Sequence, residues 1–286
     1  MNDLVYLDSK LVPLKKAGLS PLNSAFLFGE SLLEAVPVYG GKPLFLQDHL
    51  DRLARGCEFL GWPKPSREVY GKAISLFSRI KGCPENFIIR FGLAQEMGLP
   101  GNPRAYSDKL PRVLGLIRPL RHDPLEFWPP QGKVGVSRWI VPGNSAFPGH
   151  FKWIFYMMIR RDFRLHPHWD EMLRLDDRGY VVDGGSSSPL WAVGRTLFAP
   201  PLERGGLESV TRKRILSLCP SLGLKVVQKG WKPRDILQRG ELFFAGSGVG
   251  ILRATHLQGR PLDGSGTVSL RLWARFRKWI FHPGLV

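Results

Sequence analysis

Phe151-Lys152-Trp153-Ile154-Phe155-Tyr156-Met157-Met158-Ile159 sets one lysine at the front of an otherwise apolar stretch, and the spacing predicts a helix over 152–165. A lysine so placed either snorkels, packing its stem and sending its ammonium to water, or it reacts. Reaction requires surroundings that favour the neutral amine, because only that form is a nucleophile. The stretch alone does not choose between the two. The segments before and after it do.

Before it, residues 4–7 alternate as a strand, and Gly40-Gly41 turns a hairpin between 36–38 and 44–46. A helix over 48–60 ends at Gly61-Trp62-Pro63, a second helix covers 66–79, and strands cover 86–93 and 112–117. This half is α+β, and the Pro-rich stretch up to Pro130 places a boundary between domains 1–118 and 119–286. After the boundary come a strand over 134–141, the lysine helix, and strands near 171–175, 181–182 and 190–193. A helix over 209–218, a strand over 224–227, a short helix over 233–238 and a strand over 241–245 follow, so the second half reads as α/β.

The chain has 286 residues with 43% apolar content, enough to bury a core in one large domain or two moderate ones. No stretch approaches the roughly 18 uncharged apolar residues of a membrane span, and the expectation is a soluble, cytoplasmic protein. Cys57, Cys83 and Cys219 are odd in number and scattered, which suggests neither a disulfide framework nor a metal site. The 41 Lys and Arg against 24 Asp and Glu leave a net charge of +17, which attracts phosphate-bearing partners. Cations cluster at Arg212-Lys213-Arg214 and in Arg271-Leu272-Trp273-Ala274-Arg275-Phe276-Arg277-Lys278-Trp279. An amphipathic terminal helix that docks its Trp and Phe on the core is favoured there over a nucleic-acid tail, since no zinc-finger or RNP signature accompanies it. The charge instead favours an anionic substrate.

Three small motifs are suited to anions. Gly246-Ser247-Gly248-Val249-Gly250 follows an apolar strand but is not a dinucleotide fingerprint, because Ile251 stands where the third glycine belongs. Bare amides of small residues can still approach a phosphate, and so can the first turn of a helix that Ser209 caps, where Val210 and Thr211 follow. His49 and Arg52 lie one helical turn apart, so Arg52 either forks a phosphate or pairs with Asp48. An ordinary turn, a capped helix and a surface ion pair are the plain alternatives.

Taken in order, these segments resemble the class IV aminotransferases, the fold-type IV family of pyridoxal-phosphate enzymes. Phe28-Gly29-Glu30-Ser31-Leu32-Leu33-Glu34 through Tyr39-Gly40-Gly41 is similar to the family's F-G-D-G-x-x-E segment with its V-Y-x-G end. His49-Leu50-Asp51-Arg52-Leu53 is similar to H-x-x-R-L, which implies a cofactor-phosphate role for Arg52. Lys152-Trp153-Ile154-Phe155-Tyr156 resembles K-x-x-N-Y, which implies that Lys152 forms the Schiff base and that Tyr156 hydrogen-bonds the cofactor's phenolic oxygen. Gly179 through Ser188 resembles G-x-V-x-E-G-S-S-S-N, which implies that Asp183 faces the pyridine nitrogen. Leu207 through Arg212 and Ala245-Gly246-Ser247 resemble L-x-G-I-T-R and T-G-T, implying that Val210, Thr211, Gly246 and Ser247 close around the phosphate.

The resemblance implies two domains with the site in the cleft between them, a homodimer and pyridoxal 5′-phosphate as cofactor. It further implies transfer of an amino group between an amino acid and a 2-oxo acid, with aminodeoxychorismate lyase chemistry, or a divergent member with weakened or lost cofactor chemistry, as the alternatives. Asp183 replaces the family's glutamate, Phe155 its asparagine, Ser188 the asparagine after the serines, Ser209 a glycine and Glu30 an aspartate.

Overall fold

The computed structural model describes residues 4–96, 107–120, 126–143, 149, 151–152, 156–262 and 264–282. The chain forms two compact units, one of residues 1–120 with 151–155, the other of 121–150 with 156–286. Phe151 and Lys152 group with the first unit.

In the first unit the order is β1 (Leu4–Leu7), β2 (Lys10–Pro13), α1 (Ser24–Phe28), β3 (Leu32–Tyr39), β4 (Lys42–Pro43), α2 (Leu46–Phe59), α3 (Arg67–Ser78), β5 (Asn86–Ala94) and β6 (Arg112–Pro119). Its sheet runs β2-β1-β6-β5-β3-β4 with every pair antiparallel. Gly40 and Gly41 both take positive φ and close the β3–β4 hairpin, a conformation open to residues without a Cβ. In α3, Tyr70, Ala73, Ile74 and Phe77 bury one helical stripe, and Tyr70 meets Phe91 of β5 edge-on with ring centroids 5.0 Å apart. Leu50, Leu53 and Cys57 of α2 pack in the same core with Leu32, Val36 and Val38 of β3. Glu34 shares the period-two face of those three strand residues.

The second unit contains β7 (Gln131–Ile140), α4 (Met157–Leu165), β8 (Glu171–Leu175), β9 (Val181–Gly184), β10 (Ser188–Val193), β11 (Thr196–Ala199), α5 (Val210–Leu218), β12 (Lys225–Gln228), α6 (Pro233–Gln238), β13 (Glu241–Gly246), β14 (Gly250–Leu257), β15 (Arg260–Pro261) and α7 (Thr267–Phe281). The sheet order is β12-β11-β10-β13-β14-β7-β8-β9, with β15 on β14. It is mixed, with β11–β12, β14–β7 and β7–β8 parallel. Trp191, Trp231, Leu242, Phe244 and Leu257 are among its core residues. In α7, Leu272, Trp273, Phe276 and Ile280 are buried while Arg275 and Lys278 are exposed, the docked amphipathic helix that the pattern predicts.

The helix expected over 152–165 begins instead at Met157, with Tyr156 as its N-cap residue. Lys152 is not helical, and 153–155 lie outside the described residues. The physical reason is a competing partner: the Leu33 amide of β3 donates to the Lys152 carbonyl at 2.8 Å, drawing this segment against strand backbone. Strands β2, β11 and β14 are not anticipated by the sequence reading, because four-residue runs carry little periodicity and β14 follows at once on a glycine-rich turn.

Candidate active site

In the first unit a charged cluster is buried under α2. Helical spacing turns His49 and Arg52 toward β3, where Glu34 projects between apolar neighbours. Arg52 forks that carboxylate, Nε to Oε1 at 2.6 Å and Nη2 to Oε2 at 2.8 Å, and His49 Nδ1 lies 2.7 Å from Oε2. Glu34, His49 and Arg52 are 1%, 1% and 3% exposed, so water screens none of these charges. Burial alone would raise the Glu34 carboxyl, but Arg52 and His49 outweigh it and hold the group well below the usual carboxylate range. Burial also lowers His49; Glu34 opposes that shift, while the Arg52 and Lys152 charges add to it. Lys152, half-buried, thus lies within electrostatic reach of the cluster, and its carbonyl is held one residue from Glu34, at Leu33.

Six further candidates lie in the second unit. Asp183, at the end of β9, accepts the Gly184 amide on Oδ1 at 2.9 Å and the Leu207 amide on Oδ2 at 3.0 Å. Burial pushes its carboxyl up; the Leu207 amide, Arg174, the Gly184 amide and Arg212 pull the other way. Ser209 caps α5 through its Oγ, which accepts the Arg212 amide at 3.2 Å. Val210 and Thr211 therefore form the first turn, both buried. Thr211 Oγ1 lies 3.3 Å from Ser247 Oγ, so the helix start and the turn after β13 converge. Gly246 precedes that serine, and a Cβ on it would come within 2.7 Å of Ser187 Cβ. Tyr156 is half-buried at the start of α4.

A family model described as amino-transferase class IV matches residues 31–257. The chain belongs to the class IV aminotransferase family. Aminodeoxychorismate lyase of Bacillus subtilis (strain 168) is 25% identical over 260 residues, covering 89% of this chain and 87% of that protein. The branched-chain-amino-acid aminotransferase of Escherichia coli (strain K12) is 22% identical over 269 residues, covering 90% of this chain and 85% of that one. The solved structure of the branched-chain aminotransferase from the thermophilic archaeon Thermoproteus uzoniensis with norvaline matches with a TM-score of 0.82 at 22% identity, covering 97% of this chain and 94% of that chain. The fold is therefore that of the fold-type IV enzymes.

Two acids of this class IV aminotransferase have no role in the sequence reading. Glu34 stands in a matched motif, and its signal is an acid inside an otherwise apolar strand; the partner that spacing offers Arg52 is Asp48, its neighbour on the helix. Glu171 gives no local signal, because the groups it holds begin 14 residues later. The described residues contain no group of three or more metal-binding side chains. No helix among them is long and apolar enough to cross a membrane.

Proposed function

We propose that this class IV aminotransferase uses pyridoxal 5′-phosphate to move an amino group between an amino acid and a 2-oxo acid, with Lys152 as the reacting lysine. The observation that carries the reading is the convergence of Thr211 and Ser247 at the capped first turn of α5, where two hydroxyls and the amides of a helix start meet at one point. Such a site suits a dianion. Gly246 beside it has no room for a side chain, because Ser187 packs where a Cβ would stand. A phosphate-bearing pyridine cofactor fits this donor set, because Asp183 supplies an acid for the ring nitrogen in the same unit.

When bound, the cofactor supplies an electron sink for the substrate's α-carbon. The residues then take these roles. Val210, Thr211, Gly246 and Ser247 would bind the phosphate, and the family motif at 49–53 gives Arg52 a part in holding it. Asp183 holds a proton on the ring nitrogen, its own oxygens oriented by the Leu207 and Gly184 amides. Tyr156 donates to the phenolic oxygen. Lys152 would hold the cofactor and would move a proton to and from the substrate's α-carbon. The protein acts as a homodimer in the cytoplasm.

Purified protein is expected to show a visible absorption band that borohydride abolishes, with the reduced label recovered on the peptide containing Lys152. A protein that stays colourless after cofactor is added would sink the reading. The B. subtilis relative favours a second activity, elimination of pyruvate from aminodeoxychorismate. Amino-donor screening with 2-oxoglutarate or pyruvate as acceptor, run beside an assay for 4-aminobenzoate release, decides between them. Light scattering tests the dimer. Gly246→Ala, whose Cβ would press on Ser187, is expected to weaken pyridoxal phosphate binding by about tenfold or more, the cost of roughly one lost charge-assisted hydrogen bond. Equilibrium dialysis against the cofactor checks it, and unchanged affinity would remove Gly246 from the phosphate site.

A further inference from the structure

The buried carboxylate of Glu171, which none of the roles above uses, is 1% exposed at the start of β8. Its oxygens are fully engaged. Oε1 accepts the Gly185 amide at 2.8 Å, the Ser186 amide at 3.1 Å and the Met172 amide at 3.0 Å. Oε2 accepts Ser186 Oγ at 2.7 Å and Ser187 Oγ at 2.5 Å, with the Ser186 amide 3.2 Å away. Among the described residues no cation pairs with it. Burial pushes the carboxyl up, and hydrogen bonds from Ser187, Met172 and Ser186 pull it back. A buried carboxylate without a counter-ion is expensive, and apolar packing would stabilise a fold at less cost. Its use lies in what it organises.

The held segment is 185–187 between β9 and β10, together with Gly184, the last residue of β9. One end of that segment is bonded to Asp183 through the Gly184 amide. The other end is Ser187, whose Cβ would be 2.7 Å from any Cβ at Gly246. Neither glycine of the segment accepts a side chain: a Cβ on Gly184 would lie 2.0 Å from the Ser187 carbonyl oxygen, and one on Gly185 would lie 2.9 Å from Glu171 Oε1. Consecutive donors facing inward on one point form a nest, and here its occupant is a protein carboxylate.

We infer that Glu171 is a positioning residue of the cofactor site: by gathering the 184–187 segment it fixes Asp183 at one end and the Gly246 cradle at the other. The inference rests on the proposed cofactor roles of Asp183 and Gly246. Replacing the carboxylate by an amide sets an NH2 group against at least one of the turn's donors and lets both ends drift.

The test compares wild type, Glu171→Gln and Ser187→Ala, each reconstituted with pyridoxal 5′-phosphate. Three quantities are measured: the cofactor dissociation constant from tryptophan fluorescence, the pH midpoint of the visible band, and the melting temperature without cofactor. Glu171→Gln is expected to weaken binding on the order of 10- to 100-fold, the size seen when outer partners of bound ions are lost, and to shift the spectral midpoint. Ser187→Ala, which removes one hydroxyl donor, should move both readouts in the same direction by less. If Glu171→Gln does not fold, Ser187→Ala decides by the same readouts. A wild type that binds no pyridoxal phosphate overturns the reading of the site itself. Wild-type binding with unchanged constants and midpoints in the folded variants overturns the role of Glu171 alone, and so does a lower melting temperature without a change in affinity or midpoint.

Discussion

Lys152→Ala is expected to abolish the visible absorption band and to lower transamination by about 1,000-fold or more, the middle of the range for a positioned proton-transfer group alone. Lys152 is half-buried and not helical, and its one described backbone bond uses the carbonyl to the Leu33 amide, which any residue with a carbonyl can make. The cofactor-free variant should therefore melt within a few degrees of wild type. Lys152→Arg separates charge from nucleophilicity: it keeps a cation beside the Glu34 cluster yet cannot form the covalent bond, so it too should be colourless. Mass spectrometry after borohydride reduction checks both variants. A label that survives in Lys152→Ala on another lysine would show that the wrong amine has been assigned.

The second large effect is on stability. Glu34→Ala is expected to cost about 3–5 kcal/mol, because it leaves the guanidinium of Arg52 buried without its forked partner. Against a typical total of roughly 5–15 kcal/mol, that is about a fifth or more. Arg52→Ala should cost less. Arginine cannot shed its proton, whereas a stranded Glu34 can take one up or lean on His49. Urea denaturation of the two variants checks the order, and a Glu34→Ala loss under about 1 kcal/mol would refute it.

The same cluster sets the acid limb of stability. His49 titrates lower in the folded protein than in the unfolded chain, so below the ordinary imidazole range near 6.5 the unfolded state binds a proton the folded state refuses. Stability falls as pH drops through that window. Glu34 acts in the same direction at lower pH: its folded value is depressed, so its contribution is present above the ordinary carboxylate range and is lost as pH falls toward the folded value. A denaturation series from pH 8 to pH 4 should show this decline in wild type and one at least as steep in Glu34→Ala, where the carboxylate that opposes the His49 shift is gone while Arg52 and Lys152 remain.

Much of this was legible along the chain. The helical spacing of His49 and Arg52 needs only the 3.6-residue period, and both side chains are buried on the face that period implies. The Ser209 cap was visible because capping is a contact three residues long. The cationic tail was readable as a docked helix for the same reason: its burial follows helical periodicity. The failures share another cause. A helix start at Lys152 was suggested by apolar composition, yet backbone from β3, more than 100 residues earlier, takes up its carbonyl.

By itself the amino-acid order determined the family, the kinds of residue able to hold a phosphate-bearing cofactor, and the helices and strands that carry them, because motif spacing and periodicity are short-range properties. The tertiary structure decided which acid answers which base: Glu34 for Arg52 and His49 across 18 and 15 residues, and Glu171 for a turn that begins 14 residues later. Those pairings depend on how a strand registers against a helix and where a sheet edge turns, and a buried charge is tolerated only where such packing brings its partners into contact.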